Sequence, residues 1–201
     1  LITGASGQDG CILSNLYLKK KFRVFGFIKK DQKKIIKNVK YKINDLKSKK
    51  KIINHLKEIK PDIIIHLASS NSSFSSRKKF SKYSIDYLQN LRCTKNLIYS
   101  ILKNNLHPRF IFAGSSLMFK KNLTRRVTEK DSFSSNEYYA KYKIDSSKFL
   151  TLINKKNKIN ATTAILFNHD SVYRNKKFLI PKLILSFRNE NLKFINNIYK
   201  Q

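Results

Sequence analysis

Brief runs of apolar residues punctuate this chain, and between them lie longer stretches in which apolar residues return every three or four positions. The runs at Leu1-Ile2, 22–28, 41–43, 62–68, 110–113 and 161–167 predict strands. The periodic stretches predict helices: one following the opening turn and burying Ile12, Leu13 and Leu16, then 52–59, 81–104 and 137–154. The second must stop before Lys60-Pro61, because proline disfavours helix in the residue ahead of it. Residues 62–68 are apolar almost without interruption, as in strands covered on both faces of a parallel sheet. Strand and helix taking turns imply right-handed crossovers, and so an α/β fold on a doubly wound parallel sheet. The polar loop Ser69 to Ser73 is too short to link domains, and no internal repeat is apparent.

The first crossover carries the first chemistry. Leu1-Ile2-Thr3-Gly4-Ala5-Ser6-Gly7-Gln8-Asp9-Gly10 places three glycines three apart between a strand end and a helix. Gly4 lets the chain leave the strand sharply, Gly7 lets bare backbone approach a pyrophosphate, and Gly10 lets the helix close on the sheet. The pyrophosphate would rest on the unpaired N–H groups and positive end of that helix. A glycine triplet alone can be a plain turn, but this chain has only five glycines and three stand here.

Length and charge narrow the picture further. A chain of 201 residues suits one main core. No apolar run is long enough to cross a bilayer and the start does not read as a signal peptide, so a cytoplasmic protein without membrane contact is the expectation. Cys11 and Cys93 lack paired-motif spacing and read as small buried hydrophobes, and the four scattered histidines suggest no metal site. The net charge of +31 would ordinarily point to nucleic acid. Here only eight of the 43 basic residues are Arg, and the lysines are spread among Asn and Ile instead of gathered in one patch. Runs such as Lys47 to Lys51 read as solvated faces, and nucleic-acid binding is the minority reading.

Strand ends carry the chemistry in such sheets, which singles out Gly114-Ser115-Ser116. Tyr139 and Lys143, four apart, share a helix face just downstream. An ammonium beside a phenol favours phenolate and would pull Tyr139 down from its usual value near 10, toward a general base. The spacing recurs at Tyr17/Lys21, Tyr99/Lys103 and Tyr173/Lys177, so position decides: only Tyr139 opens the helix after the Ser-bearing strand end.

The opening turn, Asp45-Leu46, His66-Leu67-Ala68, Asn90 to Thr94, Ser115 and Tyr139 with Lys143 together resemble the extended short-chain dehydrogenase/reductases, the nucleotide-sugar epimerases and dehydratases. Gln8-Asp9-Gly10 and Leu166-Phe167-Asn168-His169-Asp170-Ser171 are similar to the GDP-mannose 4,6-dehydratases in particular. The resemblance implies an NAD(P)-binding Rossmann domain over 1–167 and, at 168–201, the start of a substrate lobe that is mostly absent. It implies that Gly4, Gly7 and Gly10 hold the cofactor pyrophosphate, with Gln8, Asp9, Leu67 and Ala68 beside the cofactor. Asp45 and Leu46 would meet the adenine, and Lys143 the nicotinamide ribose. Tyr139 would take the sugar 4-hydroxyl proton, Ser115 would hydrogen-bond the same oxygen, and Asn168 would face the sugar nucleotide. Lys29 and Lys30 stand where the family places paired bases for an NADP 2′-phosphate, although Asp31 could instead meet an NAD ribose; NADP is the favoured cofactor.

Departures from the family pattern accompany these matches. A dehydratase needs a second base for the C5 proton, and Leu117 stands where the family carries that glutamate. Tyr138 replaces a usual proline and Lys120 a turn glycine. The expected function is 4,6-dehydration of GDP-mannose or a related nucleotide sugar by oxidation at C4, loss of water across C5 and C6, and reduction at C6, with homo-oligomers for a full-length chain. Both ends look cut, which reads as a fragment or a shortened enzyme, and Leu117 in place of the glutamate implies impaired dehydration. Open alternatives are a 4-epimerase or 4-keto reductase of the same family, a non-catalytic NADP-binding relic, and a basic nucleic-acid module.

Overall fold

The computed structural model describes residues 1–70, 80–119, 125–135, 137–156, 159–176 and 178–188. Six strands, β1 (Ile2–Thr3), β2 (Phe25–Ile28), β3 (Lys40–Ile43), β4 (Ile63–His66), β5 (Arg109–Ala113) and β6 (Asn160–Ala164), form one sheet in the order β3-β2-β1-β4-β5-β6. Every pairing is parallel, with Ile2 opposite both Gly26 and Ile65. The order reverses direction at β1 and β4, and the crevice beyond their carboxyl ends is where such sheets bind ligands. The doubly wound α/β fold expected from the alternating pattern is the fold observed.

Helices α1 (Gln8–Lys19), α2 (Lys49–Ile59), α3 (Phe80–Lys103), α4 (Tyr138–Lys155) and α5 (Leu179–Arg188) complete the described chain. One core lies between the sheet and α2, α3 and α4, where Phe27, Ile64, Phe110 and Phe112 meet Ile52, Leu56, Leu97, Ile101 and Tyr142. The second lies on the α1 side and gathers Ile2, Cys11, Val24, Ile28 and Ile65. Pro61 acts as foreseen: α2 ends at Ile59, and Lys60 turns left-handed with φ of 43°.

Three local expectations are corrected, and one connection is described for the first time. Helix α1 buries Gly10, Cys11 and Ser14, whereas Ile12 and Leu16 are 37% and 44% exposed. Small residues lie where the helix runs closest to the sheet, and of the three expected to be buried only Leu13 packs, partly buried, against the second core. Strand β2 starts at Phe25, because Phe22 stays exposed with its ring edge-on to Tyr17 at 5.2 Å. No helix joins β2 to β3: the Lys-rich connection is irregular, held by Ile36 and Val39 in the second core and by the Ile36 N–H donating to the Tyr41 hydroxyl. Strand β6 ends at Ala164, although the Leu166 carbonyl still accepts from the Ser116 N–H at 2.9 Å. Lys120, Lys177 and residues 71–73 lie outside the described residues.

His66 ties β1, β4 and α3 together at the crevice floor. Its Nδ1 lies 2.7 Å from the Thr3 hydroxyl and its Nε2 3.1 Å from that of Thr94. Thr94 donates its own proton to the Asn90 carbonyl, so Nε2 carries the ring hydrogen and Nδ1 accepts from Thr3. Burial first, then the charge of Lys143, pushes the ring down to about 3. Between pH 6.5 and 3 the unfolded chain therefore holds a proton that the folded chain refuses, and stability is lost as pH falls. We expect this ring to contribute a slope of about 1.4 kcal/mol per pH unit over that window. Denaturant titrations from pH 3.5 to 6.5 should show a slope shallower by one proton in His66→Gln; equal slopes would refute the assignment.

Candidate active site

The glycine turn is built as its spacing suggested. Gly4 adopts a left-handed φ of 70°, and a Cβ there would stand 3.0 Å from the backbone of Ala68. Its N–H donates to the Phe27 carbonyl, and the Gly7 N–H donates back to the Gly4 carbonyl at 2.9 Å. A Cβ on Gly10 would meet the Gly4 carbonyl oxygen at 2.4 Å, which is why the helix can sit so low. Gly7 differs: it is exposed, and a Cβ there would meet nothing within 4 Å except the Gly4 oxygen at 3.3 Å.

Bare backbone at Gly7 therefore faces an open groove of about 880 Å3 along the sheet's carboxyl edge. Gly4, Lys29, Asp45, Leu46, Leu67 and Ala68 line it with Gly7, so the pair expected at the adenine shares one groove with the turn, whereas Gln8, Asp9, Gly10 and Lys143, also expected at the cofactor, are not among its lining residues. Lys30 is exposed outside its walls. Sequence reasoning missed Gln32, Asn44, Lys47, Ser69, Ser70 and Cys93, which also line the groove. Cys93 is thus a groove residue and not simply core; burial, chiefly, pushes its thiol up to about 11. Two asparagines of α3 hold the walls. Asn90 accepts from the Ser70 N–H at 2.9 Å and donates to the Ser70 carbonyl at 2.7 Å, while Asn96 donates to the Leu46 carbonyl at 2.9 Å. Only Asn90 carried a signal in the sequence, through the family likeness.

Tyr139 and Lys143 stand together at the start of α4. The Lys143 Nζ donates to the Ala113 carbonyl at 2.6 Å and lies 5.5 Å from the Tyr139 ring centre. Lys143 is 2% exposed, and burial lowers its ammonium to about 7 against an opposing pull from Asp9. Tyr139 departs from expectation: its phenol is raised, because desolvation outweighs the downward pull of the nearby Ser69 side chain. The lysine is engaged by a strand carbonyl and itself near neutrality, so it does not set the phenol's value alone.

Ser115 caps a 3₁₀ turn, Ser116–Met118, its Oγ accepting from the Leu117 N–H at 3.2 Å. Met118 is fully buried and anchors the turn, which packs on α4, while Leu117 is 37% exposed. Asn168 is exposed on the loop after β6. Its neighbour His169 reaches the glycine turn, with Nε2 2.6 Å from an Asp9 carboxylate oxygen. Gln8 also donates to the His169 carbonyl, at 3.4 Å.

The family model for GDP-mannose 4,6 dehydratase matches residues 1–197. This chain belongs to the GDP-mannose 4,6-dehydratase family. GDP-L-colitose synthase of Yersinia pseudotuberculosis is 29% identical over 198 residues, covering 92% of this chain and 58% of that protein. GDP-mannose 4,6 dehydratase of Drosophila melanogaster is 27% identical over 205 residues, covering 92% and 51%. The chain thus spans between half and three-fifths of the length of these relatives. In fold it is similar to DesIV, a dTDP-glucose 4,6-dehydratase from Streptomyces venezuelae solved with NAD and TYD bound. The TM-score is 0.81 at 15% identity, over 94% of this chain and 62% of that one. The segments Gln8-Asp9-Gly10 and Asn168-His169 are in direct contact, although 160 positions separate Asp9 from His169. Among the described residues no helix is long and apolar enough to cross a membrane.

Proposed function

We propose that this chain is the cofactor-binding and oxidising part of an NADP-dependent enzyme that dehydrates GDP-mannose or a related nucleotide sugar. One observation carries the reading. Ser69 lines the groove and stands close enough to the Tyr139 phenol to pull its pKa down, so the candidate base lies beside the wall of the candidate cofactor site. The groove fits a dinucleotide on its own terms: exposed backbone at Gly7 beside the first turn of α1 suits a diphosphate, and Lys29 suits an anionic group on the ribose. When bound, the nicotinamide supplies the hydride acceptor for oxidation at sugar C4 and returns it at C6.

This chain's own residues serve the oxidation at C4. Tyr139 takes the 4-hydroxyl proton as the C4–H bond breaks, and Ser115, whose Oγ accepts from the turn, donates its hydrogen to that same sugar oxygen. Lys143 is fixed by Ala113, leaving further N–H groups for the ribose. Asn168 stands on the loop that would face the sugar nucleotide.

Incubation with GDP-mannose and NADP⁺ should give a 4-keto-6-deoxy sugar nucleotide, and Tyr139→Phe should slow it about 10²–10⁴-fold. A folded sample that takes up neither NADP nor NAD overturns the reading. Leu117 favours a second one. A hydrocarbon cannot remove the C5 proton, whereas 4-epimerisation or 4-keto reduction needs only Tyr139 and the cofactor, so a 4-epimer without 6-deoxy product would select it.

A further inference from the structure

Asp9 puts a carboxylate into the first turn of α1, where the proposed function needs a positive helix end for a diphosphate. An acidic residue there suits the helix dipole alone but repels an arriving anion. The fold supplies a partner from far along the chain. His169 Nε2 lies 2.6 Å from the Asp9 carboxylate and its Nδ1 2.7 Å from the Phe167 carbonyl oxygen. Neither acceptor has a proton to give, so both ring nitrogens donate and the ring in this geometry is an imidazolium. The Gln8 side chain braces the same loop by donating to the His169 carbonyl at 3.4 Å.

We propose that His169 is a positioning residue of the cofactor site, an imidazolium that cancels the Asp9 charge at the helix end and so makes dinucleotide affinity depend on one proton. The inference rests on the reading given above. The other charges that meet the pair are Arg174, whose repulsion works against His169 protonation, and Lys143, which together with Tyr139 feels the Asp9 carboxylate from α4. The Phe167 carbonyl and Asp9 outweigh Arg174 and desolvation, holding His169 above its ordinary 6.5. Below that raised value the pair is neutral and the diphosphate meets no net negative charge. As pH rises through it, the ring loses its proton, the carboxylate stands uncompensated, and affinity falls.

NADPH fluorescence titrations from pH 5.5 to 8.5 test this on the whole chain. The cofactor's 2′-phosphate titrates in the same range, so Asp9→Asn serves as the reference profile. Wild type should lose about fivefold more affinity over the range than Asp9→Asn does. At pH 6, His169→Gln should bind about fivefold more weakly than wild type, whereas D9N should bind more tightly and should cancel the defect in the D9N/H169Q double variant. Far-UV circular dichroism checks that each variant folds. If D9N weakens binding as H169Q does, or if the double variant is as weak as H169Q, the pair is only a structural clasp and the inference fails. If wild type binds NADPH and H169Q matches it at every pH, the inference alone is overturned. If folded wild type binds no dinucleotide, the functional reading fails and this one with it.

Discussion

Gly10→Ala should cost this protein about 3 kcal/mol or more and its cofactor binding with it, although only one carbon is added. That carbon would sit 2.4 Å from the Gly4 carbonyl oxygen and 2.7 Å from the Ala5 Cα, both backbone atoms that cannot swing aside. Relief requires α1 to lift from the sheet, opening the contacts of Cys11 and Ser14 beneath it. For a chain of this size the cost corresponds to a fall in Tm of about 6–12 °C. Gly7→Ala is the control that separates packing from binding. Its Cβ meets only the Gly4 oxygen, at 3.3 Å, and otherwise projects toward the groove. It should therefore leave Tm within about 2 °C, since surface changes away from packed groups cost little. Dinucleotide affinity should nonetheless drop about tenfold, because the methyl occupies the diphosphate's approach. Thermal melts and NADPH titration of both variants check this. A Gly10→Ala protein with wild-type Tm would show that the helix does not depend on that close approach.

The same close packing explains what could and could not be read from the residues. The fold class follows from apolar runs alternating with periodic stretches, a pattern local to the sequence, whereas the strand order that puts the switch point between β1 and β4 comes from the structure. The buried face of α1 could not be read from the residues either. Periodicity ranks faces by hydrophobicity, yet Gly10, Cys11 and Ser14 are the buried residues of α1, and at Gly10 distance, not transfer energy, limits what fits. Likewise Asn90 and Asn96 look like any polar residues of an exposed helix. They are buried because the loops bearing Ser70 and Leu46 present backbone groups that need partners.

Titration behaviour was the least legible part. The Tyr139–Lys143 spacing says that the two share a face, but not that the lysine would donate to Ala113 or that both groups would be desolvated enough to shift away from charge. Asp9 and His169 each stood out as part of a motif, and nothing in their separation of 160 positions suggests contact. Long-range pairing of this sort is a property of the assembled parallel sheet: β6 delivers its following loop to the carboxyl edge, where the glycine turn already lies.

Leu117→Glu should raise formation of the 4-keto-6-deoxy product about 10²–10⁴-fold if dehydration is the reaction this scaffold supports. The substitution is structurally cheap. Leu117 is 37% exposed, its N–H is satisfied by the Ser115 hydroxyl, and the turn is anchored by Met118 instead, so Tm should barely move. The turn packs on α4, which carries Tyr139 and Lys143, so the new carboxylate enters on the same side of the sheet as the oxidising pair. It would then act as the base that removes the C5 proton once C4 is a ketone, the step for which a leucine offers nothing. Mass analysis of the sugar nucleotide after incubation with GDP-mannose and NADP⁺ distinguishes the outcomes. A gain of 6-deoxy product identifies the missing base at position 117 as what limits dehydration in this chain. No gain, with 4-epimer or 4-keto reduction persisting in both proteins, would mean that the hydrocarbon at this position belongs to a reaction that never needed the proton removed.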